Sequence, residues 1–151
     1  MSILYDERVD GALPKVDKPA LLSALRESLP DLEVLHTQED LKPYECDGLS
    51  AYRTTPMMVV LPERLEQVET LLKLCYKRQV PVVARGAGTG LSGGALPLEQ
   101  GILLVMARFN KILEVNPQGR FARVQPGVRN LAISNAAAPY DMYYAPDPSS
   151  Q

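Results

Sequence analysis

The chain has 151 residues, a formal net charge of −2, 46% hydrophobic and 23% charged residues, the make-up of one ordinary globular domain. Its 16 lysines and arginines are scattered along the chain, which excludes the basic footprint of a nucleic-acid binder. Cys46 and Cys75 match no metal or redox spacing; they read as free thiols of a reducing compartment, a disulfide between them being the other reading.

Met1–Gly11 carries early charges and no apolar core of signal-peptide length. No stretch approaches the roughly 18 apolar residues of a membrane span, so the expectation is a soluble, cytoplasmic protein. Leu21, Leu22, Leu25 and Leu29 at helical spacing predict a helix over Lys18–Leu29, stopped by Pro30. Glu33–Leu35 reads as a short strand, and Thr37–Asp47 as a loop with one helical turn. Met57–Leu61 (MMVVL) is an apolar run of strand length. Pro62 suits the first turn of the helix that follows, with Glu63, Glu66 and Glu69 early and Lys73, Lys77 and Arg78 late, as the helix dipole prefers. Leu65, Val68, Leu71, Leu72 and Cys75 form its predicted core stripe. Val80–Ala84 (VPVVA) is a second strand, parallel to the first through a right-handed βαβ connection, and Ile102–Met106 (ILLVM) is expected in the same sheet.

After Arg108 the texture changes. Ile112–Val115 and Phe121–Val124 flank Asn116-Pro117-Gln118-Gly119, the pattern of a hairpin. Val128, Leu131, Ala132 and Ala136 predict a helix of small residues ended by Pro139. A second subdomain is expected to begin near Arg108–Lys111. The last residues, Asp147-Pro148-Ser149-Ser150-Gln151, follow an apolar stretch with no closing helix or strand. That ending reads as a cut through a longer protein, with a frayed tail as the alternative.

Arg85-Gly86-Ala87-Gly88-Thr89-Gly90-Leu91-Ser92-Gly93-Gly94 begins where the second parallel strand ends. Ligands of parallel sheets bind outside the carboxyl ends of strands. Glycines there let main-chain N–H groups approach a phosphate unhindered. Thr89 and Ser92 add hydroxyl donors and Arg85 a charge. A Walker loop needs Gly-Lys-Ser/Thr, and no lysine occurs here. Gly88 to Gly93 fits G-x-G-x-x-G by letters, but an NAD site needs a helix starting inside the loop and an acidic residue about 20 positions on. Pro97 leaves no room for that helix, and the third strand ends in Met106-Ala107-Arg108.

Pro81-Val82-Val83-Ala84-Arg85-Gly86-Ala87-Gly88-Thr89-Gly90, followed by Ser92-Gly93-Gly94, resembles the pyrophosphate loop of the flavoproteins named for p-cresol methylhydroxylase and vanillyl-alcohol oxidase. Pro56–Pro62 resembles that family's lead-in strand, and Val124-Gln125-Pro126-Gly127-Val128 its second-subdomain strand and turn. Within the family, Pro43–Arg53 and Tyr143–Ser150 are similar to the FAD-containing subunits of bacterial glycolate oxidases. The resemblance implies an α+β, two-subdomain FAD-binding fold: a lead-in over 1–55, a first subdomain with a small parallel sheet over 56–110, and the start of a second over 111–151. FAD is the implied cofactor. Arg85, Gly86, Ala87, Gly88, Thr89, Gly90, Leu91, Ser92 and Gly93 would hold its pyrophosphate, and Pro146, Asp147 and Ser149 would pass near the ribityl chain or the flavin ring.

The implied activity is the oxidation of a 2-hydroxy acid, glycolate to glyoxylate by preference, with D-lactate or D-2-hydroxyglutarate as the runner-up. A non-catalytic fragment is the rival reading for these 151 residues alone. Companion flavin and iron–sulfur subunits, and through them the inner face of the membrane, are implied partners; two cysteines cannot hold such clusters. No residue here is assigned a catalytic role. His36, the single histidine, reads as a surface or capping residue; Glu45 and Asp47 as loop solvation or capping; Tyr140, Tyr143 and Tyr144 as core packing or a subunit contact.

Overall fold

The computed structural model describes residues 15–146. Helix α1 (Lys18–Ser28) starts where Asp17 accepts a hydrogen bond from Ala20 N, and ends just before Pro30. Strand β1 (Glu33–Leu35) is followed by the short helix α2 (Gln38–Leu41) and a 3₁₀ turn at Lys42–Tyr44. Strand β2 (Met58–Leu61), helix α3 (Leu65–Lys77), and strands β3 (Val82–Arg85) and β4 (Ile102–Val105) complete the first layer. Strands β5 (Ile112–Asn116) and β6 (Phe121–Val124) and helix α4 (Asn130–Ala137) follow.

The fold is α+β. Four strands form one sheet in the order β1-β2-β4-β3, and β5-β6 form a separate antiparallel pair. As expected, β2 and β3 run parallel, but they are not neighbours. Strand β4 lies between them, pairing Leu103 with Val59 on one side and Val83 on the other. All four residues of β4 are buried, as a central parallel strand covered on both faces requires. Alternation along the strands splits the interior in two. Met58, Val60, Ile102 and Leu104 meet Leu21 and Leu25 of α1 and Leu71 and Cys75 of α3; Val59, Leu103 and Val105 meet Leu41 of α2. Residues before 56 therefore build part of this layer, since β1 pairs antiparallel with β2.

Two details of α3 differ from the sequence reading. The helix starts at Leu65, three residues after Pro62, because the buried Gln67 side chain accepts from the N–H groups of Glu63 and Arg64 and holds them extended ahead of the first turn. The core line is Gln67, Leu71 and Cys75, four residues apart, whereas Leu65 and Leu72 are 59% and 44% exposed. A Schellman turn closes the helix: Val80 N donates to Cys75 O and Gln79 N to Tyr76 O, with Gln79 at φ +54. The predicted hairpin is present, and Gly119 N donates to the Asn116 side chain in its turn. In α4 it is Ile133 and Ala137 that are buried, while Leu131 stays exposed.

Both cysteines are free thiols. Burial pushes the Cys75 thiol from 9.0 up to about 11, because the thiolate is the form that loses its water. In the unfolded chain the thiol ionises at its ordinary value, so Cys75 contributes stability below pH 9.0 that is lost as pH rises toward about 11. The expected outcome is that a thiol reagent leaves Cys75 unmodified in the native protein and labels it on denaturation. Fast native labelling of Cys75 would contradict this packing.

Candidate phosphate-binding site

Strand β3 delivers the glycine segment at its carboxyl end. Arg85 O accepts from Met106 N at 2.8 Å, which pins the strand end to the central strand. From Gly86 to Gly101 the chain forms no helix or strand before β4 begins. Gly86, Ala87, Thr89, Gly90, Leu91, Ser92 and Gly94 are exposed, and Gly88 and Gly93 are half-buried. Gly88 and Gly93 sit at φ +72 and +73, left-handed positions that glycine takes without a Cβ penalty. Among the described residues, no main-chain N–H from Gly86 to Gly94 donates to a protein acceptor, and the Thr89 and Ser92 hydroxyls are equally unengaged. A run of donors left to solvent, with left-handed glycines breaking the chain direction, is the kind of backbone from which anion-binding concavities are built. The residues present therefore fit a diphosphate.

Arg85 is placed differently from the expectation of a phosphate ligand. Its Nη1 donates to Cys46 O at 2.6 Å, and its guanidinium lies 5.7 Å from the centre of the Tyr44 ring. Thr89 and Ala87 border a cleft of about 170 Å³ whose other wall is Pro126, Gly127, Val128, Arg129 and Asn130. That wall is the turn after β6 leading into α4. Gly127 allows it to sit there: a Cβ would come 2.5 Å from Met106 O and 2.9 Å from Phe109 O, and Gly127 N donates to Phe109 O at 2.7 Å. The loop of the first sheet and the turn of the second thus face one cleft.

A larger hollow of about 420 Å³ lies elsewhere, between Val115, Phe121, Ile133, Ala137, Tyr143 and Tyr144. Its lining is mainly apolar but includes Asn116, Arg120 and Asp141, and it does not touch the glycine loop. Tyr140, Tyr143 and Tyr144 are exposed and not in the core. Pro146 is exposed and does not line the cleft beside the loop; Asp147 and Ser149 lie outside the described residues. His36 pairs with Arg26 beside α1, Nε2 to Nη2 at 3.2 Å, remote in sequence from the loop. Glu45 forms an ion pair with Arg53.

Sequence reasoning missed the importance of Asp47. It is 5% exposed, and it is the one buried charged side chain among the described residues. Its Oδ1 accepts from Leu49 N, a local cap, but no local pattern flags Ala95, which its Oδ2 holds from 48 positions away.

Residues 56–151 match the family described as "FAD binding domain". The chain belongs to that family. Glycolate oxidase subunit GlcD of Escherichia coli (strain K12) is 70% identical over 151 residues, which is all of this chain and 30% of that protein. D-2-hydroxyglutarate dehydrogenase of Xanthomonas citri pv. viticola is 33% identical over 129 residues, 85% of this chain and 27% of that protein. The chain thus spans less than a third of the length of these relatives. Among solved structures, p-cresol methylhydroxylase with substrate bound superposes with a TM-score of 0.70 at 24% identity, over 82% of this chain and 25% of that one; this likeness shows the fold. FAD is the cofactor of the family, and the open glycine loop suits its diphosphate.

Gly90 separates a ligand role from a packing role. A Cβ built there meets nothing within 4 Å, so the protein itself does not need glycine at that point. Gly90→Ala is expected to leave the melting temperature of the flavin-free protein unchanged and to weaken FAD retention about tenfold or more. Flavin titration of the full-length variant checks this, and unchanged retention would remove Gly90 from the site.

Proposed function

We propose that this chain is the pyrophosphate-binding front part of an FAD-dependent dehydrogenase of 2-hydroxy acids, with glycolate oxidised to glyoxylate as the preferred reaction. The observation that carries the reading is 70% identity along the whole chain to the E. coli glycolate oxidase subunit, joined to a glycine loop whose amides are left for a ligand.

In this reading the main-chain N–H groups from Gly86 to Leu91 take the diphosphate oxygens, assisted by the Thr89 and Ser92 hydroxyls and by Ala87 and Gly93 as loop backbone. Charge-assisted bonds from fixed amides are stronger than neutral ones, and they fix the cofactor's position as well as its affinity. When bound, FAD supplies the group that accepts a hydride from the substrate α-carbon. Residues 56–110 act as the first subdomain and 111–151 as the start of the second, with FAD between them; the cleft shared by Thr89 and Val128 supports that division. Pro146, and with it Asp147 and Ser149, which lie outside the described residues, are assigned to the ribityl chain or flavin ring by the family resemblance alone. No residue of this segment is assigned to proton abstraction. Companion flavin and iron–sulfur subunits receive the electrons, and they carry the cytoplasmic protein to the inner face of the membrane. Among the described residues no helix is long and apolar enough to cross a membrane.

A second reading, a D-lactate or D-2-hydroxyglutarate dehydrogenase, is favoured by the 33% identity to the Xanthomonas enzyme. Full-length protein, purified with bound flavin and mixed without air with each acid in turn, decides between them. Glycolate is expected to bleach the flavin band faster than D-lactate or D-2-hydroxyglutarate. Bleaching by D-2-hydroxyglutarate alone would move the assignment to the second reading, and a full-length protein that retains no flavin would overturn both.

A further inference from the structure

We propose that Tyr44–Leu49 is a clamp that holds the glycine loop in its binding shape, with Asp47 and Arg85 as positioning residues and not phosphate ligands; this rests on the loop being the diphosphate site. The segment touches the loop at its entry, its middle and its exit. At the entry, Arg85 Nη1 donates to Cys46 O at 2.6 Å while the guanidinium stacks 5.7 Å from the Tyr44 ring. That guanidinium occupies the space beside Gly88 where a Cβ would stand. In the middle, Gly48 lies main chain to main chain against the loop: a Cβ there would be 2.5 Å from Thr89 O and 2.8 Å from Gly90 O. At the exit, the Asp47 carboxylate takes two main-chain donors, Leu49 N on Oδ1 at 2.9 Å and Ala95 N on Oδ2 at 3.4 Å. Leu49 also reaches the loop, its Cδ2 standing 3.8 Å from a Cβ built on Gly93.

These contacts answer a physical difficulty. A loop with five glycines in nine positions, 86 to 94, has more conformations to lose on binding than any other composition, and its own amides cannot brace it because they are kept for the ligand. Bracing must come from the loop's carbonyls, its flanks and a neighbouring segment. A buried carboxylate is a costly group to place beside an anion site. Asp47 is placed there because both its oxygens accept from main-chain N–H groups, one on the clamp and one just past the loop. Order established on folding is order that the ligand no longer has to impose.

Asp47→Asn tests this with little change of shape. An amide has one acceptor oxygen for two donors, so one of Leu49 N and Ala95 N loses its partner. In the full-length protein the expected results are a rise of about tenfold in the FAD dissociation constant, and faster chymotryptic cleavage after Leu91 in the flavin-free form. Arg85→Lys removes the stacked planar group but keeps the charge, and is expected to act in the same direction. If Arg85 were instead a charge for the phosphates, Arg85→Lys would keep flavin affinity and leave cleavage of the flavin-free loop unchanged. Should Asp47→Asn lower expression, Arg85→Lys and Gly48→Ala carry the test through the same two readouts. Wild-type cleavage after Leu91 together with wild-type affinity in these variants would overturn the clamp. Separately, wild-type protein that binds FAD with no added protection at 86–94 would overturn the loop reading beneath it.

Discussion

The structure turns on a row of main-chain amides at the carboxyl end of β3 that no described protein group uses. Elsewhere in a folded chain such donors are paired with backbone, side chains or water. Here they are sequential, exposed except at the half-buried Gly88, and free of Cβ atoms at every other position from Gly86 to Gly90. A diphosphate binds by charge and by oxygen geometry, and fixed amides meet both demands without any titrating side chain. The same composition makes the segment floppy: ordering each residue costs about 1–2 kcal/mol. The rest of the first layer can be understood as the means of holding that segment still.

Topology supplies the first restraint. Strands β3 and β4 are adjacent and parallel, so the chain leaving the carboxyl end of β3 must return the length of the sheet before β4 can begin. A helix usually makes that return. Here a helix-free passage over 86–101 makes it, with the binding loop as its outward half. The inward half is packed closely: Pro97 is fully buried, and a Cβ on Gly101 would stand 3.1 Å from Pro81 O. The loop is thereby suspended between an edge strand and the most buried strand of the sheet. Helices α1 and α3, packed on the opposite side of that sheet from α2, hold those strands in place.

Much of this was legible in the sequence. The runs MMVVL, VPVVA and ILLVM are apolar without interruption because their strands lie in or beside a sheet covered on both faces, and the glycine segment announced itself by composition and by its place after a strand. What could not be read depends on partners far along the chain. The start of α3 was misplaced because a side chain three residues into the helix, Gln67, extends the lead-in. Leu65 and Leu72 fit a 3.6-residue stripe as well as Leu71 does, and only the position of the sheet decides which is covered. Strand β4 was expected in the sheet, but nothing local says that it enters between the other two. Asp47 caps Leu49 N, in line with its reading as loop solvation or capping, but its second partner, Ala95, lies beyond the glycines. The same distance hides the contact of Arg85: Cys46 O, which it engages, is 39 positions upstream.

The glycine loop, the turn at Gly127 and the segment around Asp47 converge from three separate parts of the chain on one small region. Gly48 stands where the Asp47 segment meets the loop main chain, and Gly127 where the turn packs on the carbonyls of Met106 and Phe109. The most direct measurement is a crystal structure of the full-length protein with FAD. Diphosphate oxygens are expected within about 2.7–3.2 Å of main-chain nitrogens between Gly86 and Leu91, with Arg85 still on Cys46 O. A diphosphate seated away from that loop, or bound chiefly by the Arg85 guanidinium, would contradict this expectation.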